Sequence, residues 1–180
     1  YDLNVSDTER YLLITWCILI VMVCFTGNIV VLISSIKYNS IKLDKITVVL
    51  IQNIAIADLS YAVYQIVPQL SNMISQRLIY GEVLCKINWF MLHLSGSVST
   101  LSIATLNISK LTVILNPLRA RTRTNRTGYR IALSLWCIVI LTWVTVWSLL
   151  EAMKSQVYYK PSVFYCEYKI EEHALTAVAY

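Results

Sequence analysis

Charged residues and glycine are both scarce in this sequence. Charged side chains make up 14% of the 180 residues, whereas 57% are hydrophobic, and there are only four glycines. A soluble domain has about 25% charged residues, so a soluble fold of this length could not bury so much apolar surface. So few glycines leave little material for a glycine-rich phosphate loop. The sequence has no nucleophile elbow, no HExxH motif and no Cys, His and carboxylate cluster at metal-ligand spacing, so we expect neither an enzyme nor a metal or cofactor site.

The apolar residues form four long runs. Residues 11–36, 87–109 and 131–150 contain no charged side chain, and residues 46–74 contain only Asp58. Each run has the roughly 20 residues that a helix needs to cross the hydrocarbon core of a bilayer. We therefore predict an all-α, polytopic membrane helix bundle. The predicted spans are residues 11–36, 46–74, 87–115 and 131–152, and a fifth span starts at residues 174–180.

The two ends of the sequence bear on this prediction. Asp2, Asp7 and Glu9 precede the first run, where a signal peptide would have basic residues, so the run is predicted to be a true span. The chain starts at Tyr1 and stops inside an apolar run, so we expect a piece of a longer protein.

Basic residues are concentrated in two of the segments between the runs. Residues 37–45 contain three lysines and one acid, Asp44, and residues 110–130 contain six basic residues and no acid. Short basic loops stay in the cytoplasm, so the N-terminus is predicted to be extracellular. The basic stretch abuts the membrane, which favours contact with anionic lipid head groups over a nucleic-acid partner. The predicted inner loops are 37–45 and 116–130, and the predicted outer segments are 1–10, 75–86 and 153–173.

Two features of the predicted outer side depend on that orientation. Asn4-Val5-Ser6 is a glycosylation sequon, whereas the similar Asn125-Arg126-Thr127 would face the cytoplasm and stay unmodified. Cys85 and Cys166 flank predicted spans on the outer side, in a compartment that permits a disulfide. Two free thiols are the alternative.

Asp58 is the one acid inside a predicted span. An ionisable residue in a bilayer faces other helices or a small wet cavity, and it is a candidate functional residue by default. The sequence leaves open two roles for Asp58 and its possible polar partners: they could join helices by hydrogen bonds, or they could bind a cation through their oxygen atoms. His93 is expected to be a packing residue, and Pro68 is expected to kink the second span. The polar residues that could pair with Asp58 are Asn28, Ser95, Ser97, Ser99 and Ser102.

Six motifs occur in the same order as in rhodopsin-like (class A) G-protein-coupled receptors. The chain resembles the N-terminal part of such a receptor, from helix one to the start of helix five. The similarity extends over residues 11–173. The matching motifs are Gly27-Asn28-Ile29-Val30-Val31, Asn53-Ile54-Ala55-Ile56-Ala57-Asp58-Leu59, Tyr80-Gly81-Glu82-Val83-Leu84-Cys85-Lys86, Ile114 with Pro117-Leu118-Arg119, Trp136, and Cys166.

The resemblance implies a role for individual residues. Asp58, Ser99 and Asn28 would belong to a pocket for a sodium ion, an allosteric modulator. Asn53, Ser102 and Trp136 would form a polar contact among three helices, and a Cys85–Cys166 disulfide would hold the outer loop over the ligand pocket. The implied pocket residues are Gln65, Trp89, Leu92, His93 and Gly96, and the implied G-protein contacts are Ser109, Lys110, Leu111, Ile114 and Pro117.

The sequence departs from the family at the foot of helix three. Ser109-Lys110-Leu111 replaces the expected acid, arginine and aromatic residue. Lysine keeps the positive charge of the arginine but lacks its planar fork of donors, and Ser109 supplies no carboxylate. The resemblance therefore implies a receptor, while the triplet leaves the strength of its G-protein coupling open.

The ligand is constrained at two positions. Leu92 lies where amine receptors have an aspartate, so an ammonium ligand would lack a counter-ion. Residues on either side of Lys160-Pro161-Ser162 predict a short hairpin, as in peptide receptors, although a plain lid is the alternative. We expect a plasma-membrane receptor for an extracellular peptide or small molecule that acts on a heterotrimeric G protein. The alternatives are a transporter or channel subunit that uses Asp58 as its ion site, or a receptor-like protein with weakened coupling.

Overall fold

The computed structural model describes residues 6–37, 44–118, 122–152, 156–160 and 165–169. In these ranges the chain forms five helices, a π-helical segment and a two-stranded hairpin. Asn4, the fifth span predicted at 174–180 and most of the loop at 37–45 lie outside the described residues. The elements are α1 (Asp7–Lys37), α2 (Lys45–Tyr61), the π segment (Ala62–Ile66), α3 (Val67–Ser75), α4 (Gly81–Leu115), α5 (Asn125–Ala152), β1 (Gln156–Lys160) and β2 (Tyr165–Lys169).

Within the ranges that the structure describes, four helical spans are long and apolar enough to cross a membrane: α1, the continuous stretch Lys45–Ser75, α4 and α5. The predicted all-α membrane bundle is confirmed. The helices extend beyond the apolar runs, since α4 begins at Gly81, inside the loop predicted at 75–86, and α5 begins at Asn125, inside the loop predicted at 116–130. Hydropathy marks only the part of a helix that lies in hydrocarbon, whereas the backbone hydrogen bonds continue past it.

Capping side chains mark the starts of α1 and α2, and a glycine marks the start of α4. Ser6 and Glu9 form a capping box before α1, in which the Ser6 N–H donates to Glu9 Oε2 over 3.0 Å and the Glu9 N–H donates to Ser6 Oγ over 3.3 Å. Asp44 is the N-cap of α2 and accepts the Thr47 N–H at 3.3 Å. Gly81, at the start of α4, has a φ of +72°, a left-handed conformation that glycine adopts without strain.

Pro68 is accommodated by a change in helix type. Because proline has no N–H, it cannot donate to the carbonyl of Tyr64, four residues earlier. The helix widens just before it, and the Val67 N–H donates to the Ala62 carbonyl in π register. In the orientation that gives both of its amide atoms partners, Asn88 donates from α4 to the Tyr64 carbonyl over 2.9 Å. Next to Pro68, where the sequence predicts a kink, the helix contains a π segment, and a side chain of the neighbouring helix satisfies the released carbonyl.

Asn53 joins the three inner helices α2, α4 and α5. Its Nδ2 donates to Ser102 Oγ over 2.7 Å, and its Oδ1 accepts from Trp136 Nε1 over 2.8 Å. Ser102 is fully buried, and its hydroxyl donates to the Val98 carbonyl at 2.6 Å. In a lipid interior such bonds are worth about 0.6–2 kcal/mol each. The three side chains thus connect α2 to both of its neighbours.

The strands form one antiparallel hairpin, in which Tyr159 lies opposite Cys166. The sequence predicts a hairpin around Lys160-Pro161-Ser162, and the two strands lie on either side of residues 161–164. A disulfide joins Cys166 to Cys85 in α4, with their Cα atoms 5.5 Å apart. We call this end of the bundle the hairpin end. The opposite end, which holds Asp44, Ser109 and Arg123, is called the basic end.

A close helix contact lies near the basic end, where α5 packs on α2. A Cβ added to Gly128 would lie 2.9 Å from Val49 Cβ and 3.4 Å from Ile46 Cα. These are a branched side chain and a backbone atom, so neither can move aside without shifting α2. Glycine is therefore needed at this crossing because it allows the two helices to approach.

We expect Gly128→Ala to destabilise the bundle by about 1–3 kcal/mol, the usual cost of overpacking. The matched control is Gly27→Ala in α1, because a Cβ there meets no atom within 4 Å. The measurement is the melting temperature of the full-length protein in detergent. Equal melting temperatures for the two variants would contradict the close packing at Gly128.

Candidate functional site

Asp58 is paired across two helices. Ser99 Oγ, on α4, donates to Asp58 Oδ1, on α2, over 3.0 Å. A carboxylate at this depth needs such a partner because lipid offers none. The contact places a carboxylate oxygen and a hydroxyl oxygen together between adjacent helices.

Asn28 lies near this pair. In the part of the chain that the structure describes, its amide does not contact the Asp58 carboxylate. Its amide donates to the Cys24 carbonyl of its own helix over 2.9 Å. The Cys24 thiol, not Asn28, donates to the backbone carbonyl of Asp58 over 3.5 Å. The connection of α1 to the Asp58 position therefore runs through the Cys24 thiol.

The serines of α4 have separate partners instead of forming one cluster. Ser95 donates to the Met91 carbonyl of its own helix over 2.6 Å. Ser97 accepts from Trp143 Nε1 of α5 over 3.0 Å, while Ser99 and Ser102 contact α2. Within the described ranges, no group of three or more His, Cys, Asp or Glu residues could hold a metal ion.

An aromatic cluster lies between α4 and α5 toward the hairpin end. The His93 ring is 4.3 Å from the Trp89 ring and 4.6 Å from the Trp143 ring, measured between centroids. The two tryptophans meet edge to face at 5.9 Å, a favoured aromatic geometry. His93 Nδ1 lies 2.8 Å from the Trp89 carbonyl oxygen, so His93 is a packed, hydrogen-bonded residue.

The five residues expected to line a ligand pocket do not line one common cavity. Trp89 and His93 belong to the aromatic cluster. Gly96 lines a cavity of about 430 Å³ between α4 and α5, together with Trp143. Gln65 is buried in the π segment, and Leu92 is half-buried on α4. Sequence reasoning missed Trp143, although a polar-edged aromatic residue inside a span was a signal that could have identified it.

Charged groups link α4 and α5 beside the hairpin. Lys86 Nζ lies 3.6 Å from Glu82 Oε1 and 3.5 Å from Glu151 Oε1. Trp147 Nε1 donates to the same Glu151 oxygen over 3.2 Å. Both strands also lie close to α4. The hairpin end is thus held by a disulfide and by ion pairs.

At the basic end, the three residues of the Ser109-Lys110-Leu111 triplet differ in exposure. Ser109 is buried, and its hydroxyl accepts from Arg123 Nη1 over 3.0 Å. Lys110 and Leu111 are exposed, as are Ile114 and Pro117. The Arg123 guanidinium also pairs with Asp44 over 3.5 Å. Sequence reasoning missed this interaction, although Asp44 is the one acid in the two basic loops.

Comparison with known proteins identifies the family. The sequence matches the family described as "7 transmembrane receptor (rhodopsin family)" over residues 27–180. It is 28% identical over 134 residues to the cholecystokinin receptor of Xenopus laevis, covering 74% of this chain and 29% of that protein. It is 31% identical over 150 residues to human (Homo sapiens) prokineticin receptor 1, covering 76% of this chain and 36% of that receptor.

A third relative is the gastrin/cholecystokinin type B receptor of Mus musculus, which is 27% identical over 137 residues, or 73% of this chain and 29% of the receptor. The chain spans about a third of the length of these relatives. The family match covers most of the chain and includes all of α2, α4 and α5. The chain belongs to the rhodopsin family of seven-transmembrane receptors.

Proposed function

We propose that this chain is part of a plasma-membrane receptor that binds an extracellular peptide and activates a heterotrimeric G protein. The observation that carries the proposal is the family match over residues 27–180. The names of the relatives, receptors for cholecystokinin, gastrin and prokineticin, support a peptide as the ligand. The excess of basic residues at 37–45 and 110–130 supports an extracellular N-terminus, glycosylated at Asn4.

The hairpin end is the proposed ligand side. The disulfide holds the hairpin against the start of α4, above Trp89, Leu92 and His93 on the same helix. Gln65, in the π segment, is also assigned to the proposed pocket, whereas Gly96 lines the separate cavity between α4 and α5. Leu92 offers no counter-ion for an ammonium group, which disfavours a monoamine. A peptide can instead use main-chain hydrogen bonds of a strand and stack side chains on aromatic rings.

Signal transfer in this proposal needs no chemical step. A ligand changes the balance between two arrangements of the bundle by binding one of them more tightly. A G protein that binds the other end of the bundle also prefers one of the two arrangements, so ligand binding changes the affinity for the G protein. Lys110, Leu111, Ile114 and Pro117 are the proposed G-protein contacts, because they are exposed at the basic end.

A receptor with weakened coupling is a second candidate, and one observation favours it. Ser109 supplies a hydroxyl where the resemblance expects a carboxylate, and Lys110 supplies a single ammonium where it expects a guanidinium. An ammonium makes a point contact, whereas a guanidinium donates two parallel hydrogen bonds. The coupling contact would then be weaker than in other members of the family.

Asp58 and Ser99 are the proposed ligands of an allosteric sodium ion. Their two oxygen atoms come from adjacent helices and are of the hard type that alkali and alkaline-earth cations prefer. The ion would supply a positive charge that neutralises the Asp58 carboxylate. Asn28, which contacts Cys24, is assigned to the border of this proposed site.

The receptor function is tested by peptide-stimulated nucleotide exchange. The full-length protein is reconstituted in vesicles with a G protein, and a peptide panel that includes cholecystokinin, gastrin and prokineticin is added. We expect Cys85→Ser to abolish the response of the active peptide, because the hairpin loses its attachment to α4. Cys17→Ser, which removes a free cysteine in α1, should leave the response intact. A full response of Cys85→Ser would contradict a ligand site under the hairpin, and no exchange with any peptide would contradict the peptide receptor.

We expect Lys110→Arg to raise basal nucleotide exchange by about two- to tenfold, because a guanidinium forms stronger paired hydrogen bonds than an ammonium. Lys45→Arg is the matched control, since Lys45 is also an exposed lysine at the basic end. Basal exchange is measured without peptide at equal receptor concentration. If both variants behave as the unsubstituted protein, Lys110 is not the coupling contact.

The sodium proposal predicts an ion-specific gain in stability. The melting temperature of the full-length protein should be higher in sodium chloride than in choline chloride at the same ionic strength, because a bound ion stabilises the folded state. Asp58→Asn and Ser99→Ala should reduce this difference, whereas Ser148→Ala, whose hydroxyl bonds only to its own helix at Val144, should keep it. Equal melting temperatures in the two salts would refute the site.

A further inference from the structure

Three side chains meet at the basic end, from three different segments of the chain. Arg123 Nη1 donates to Ser109 Oγ over 3.0 Å and lies 3.5 Å from Asp44 Oδ2. The same Asp44 oxygen accepts the Thr47 N–H at the start of α2. We call Asp44, Ser109 and Arg123 the basic-end clamp. It connects the first residue before α2, the last turns of α4 and the segment that leads into α5.

The clamp is shielded from solvent. The side chains of Arg123 and Asp44 are only 17% and 11% exposed, and Ser109 is 7% exposed. An ion pair so little exposed is screened weakly by salt. Removing one partner leaves the other charge buried and uncompensated, which costs more than the loss of a surface pair. Arg123 is therefore a restrained side chain and not a freely solvated member of the basic loop.

Arg123 lies close in the chain to the proposed G-protein surface, so its restraint affects that surface. Arg123 lies just before Thr124, whose carbonyl accepts the N–H groups of Thr127 and Gly128 and so begins α5. On the other side of the loop, Ile114 and Leu118 are 76% and 80% exposed. Anchoring Arg123 to α2 and α4 fixes the start of α5 relative to these exposed residues.

The sequence explains why the anchor takes this form. Where the resemblance expects a carboxylate, Ser109 offers a neutral oxygen. This oxygen accepts an N–H of the Arg123 guanidinium but does not neutralise the positive charge of Arg123. The neutralising charge comes from Asp44, the N-cap of α2. The arginine thus needs both helices, because one supplies the hydrogen-bond acceptor and the other the opposite charge.

We propose that Arg123 is a positioning residue of the G-protein surface, which it pre-organises by bridging Asp44 and Ser109. The proposal rests on the proposed receptor function. A surface that is already ordered costs less conformational entropy when a partner binds. Loss of the clamp should therefore weaken the affinity for the G protein while leaving the maximal exchange rate at saturating G protein intact.

Two substitutions break the clamp with little other change. Asp44→Asn removes the charge but keeps the N-cap, because asparagine caps a helix about as well as aspartate. Arg123→Gln removes the guanidinium. Arg126→Gln is the matched control, since it removes an exposed arginine in the first turn of α5. Combining Asp44→Asn with Arg123→Gln shows whether the two residues act through each other, because a shared contact makes their effects non-additive.

The first measurement is hydrogen–deuterium exchange in the full-length protein in lipid, which needs no G protein. We expect Asp44→Asn and Arg123→Gln to speed the exchange of the amides of residues 113–118 and 122–128, and the double variant to add little. Arg126→Gln should leave these amides unchanged. Unchanged protection in Asp44→Asn and Arg123→Gln would overturn the clamp.

The second measurement is basal nucleotide exchange at increasing G-protein concentration. The half-saturating concentration should rise about three- to tenfold in Asp44→Asn and Arg123→Gln, the range expected for coupled contacting residues, with the maximal rate retained. Arg123→Lys, which keeps the charge, should restore part of the affinity. Faster amide exchange with an unchanged half-saturating concentration would make Arg123 a structural residue only and overturn its positioning role. If the unsubstituted protein gives no nucleotide exchange with or without the peptide panel, the receptor function fails and the positioning role fails with it, whereas the amide data still decide whether the clamp exists.

Discussion

The pairing of the Asn53 amide fixes the arrangement of the three inner helices. An amide inside a membrane obtains no hydrogen bonds from water, and leaving it unpaired costs about 1–3 kcal/mol. Asn53 has one partner on each neighbouring helix, because Ser102 accepts its N–H and Trp136 donates to its oxygen. Sliding either helix by one residue would break one of these bonds. The amide therefore sets the register of α2 against α4 and α5 at the same time.

Contacts toward both ends of the bundle follow from that register. Toward the hairpin end, Asp58 lies opposite Ser99, so the one acid within a predicted span is paired where α2 meets α4. Toward the basic end, Val49 lies against Gly128, which brings α5 close to α2 and Arg123 within reach of Asp44. The positions of the proposed ion site and of the basic-end clamp thus both depend on the helix register that Asn53 sets, although the two sites have different chemistry.

The sequence predicts these features unequally, for physical reasons. The spans are predictable because a charge in hydrocarbon is costly, so charge-free runs mark them directly. The pairings of Asn53 with Ser102 and Trp136 could be named beforehand only through the resemblance to a family, since no periodicity connects residues so far apart in the chain. At the π segment, Asn88 of another helix donates to the Tyr64 carbonyl that Pro68 leaves without a partner. Such a contact leaves no local pattern in the sequence.

The basic end shows how structure changes the interpretation of a motif. In the sequence, Lys110 is the conspicuous member of Ser109-Lys110-Leu111 because it replaces an arginine. In the structure, Lys110 is exposed, and Ser109 is the residue engaged with the rest of the chain. Ser109 supplies a hydroxyl acceptor but no charge, so the opposite charge for the Arg123 guanidinium comes from Asp44, the residue just before α2. Of the triplet, Ser109 therefore contributes to the contacts that hold this end of the bundle together, while Lys110 faces outward.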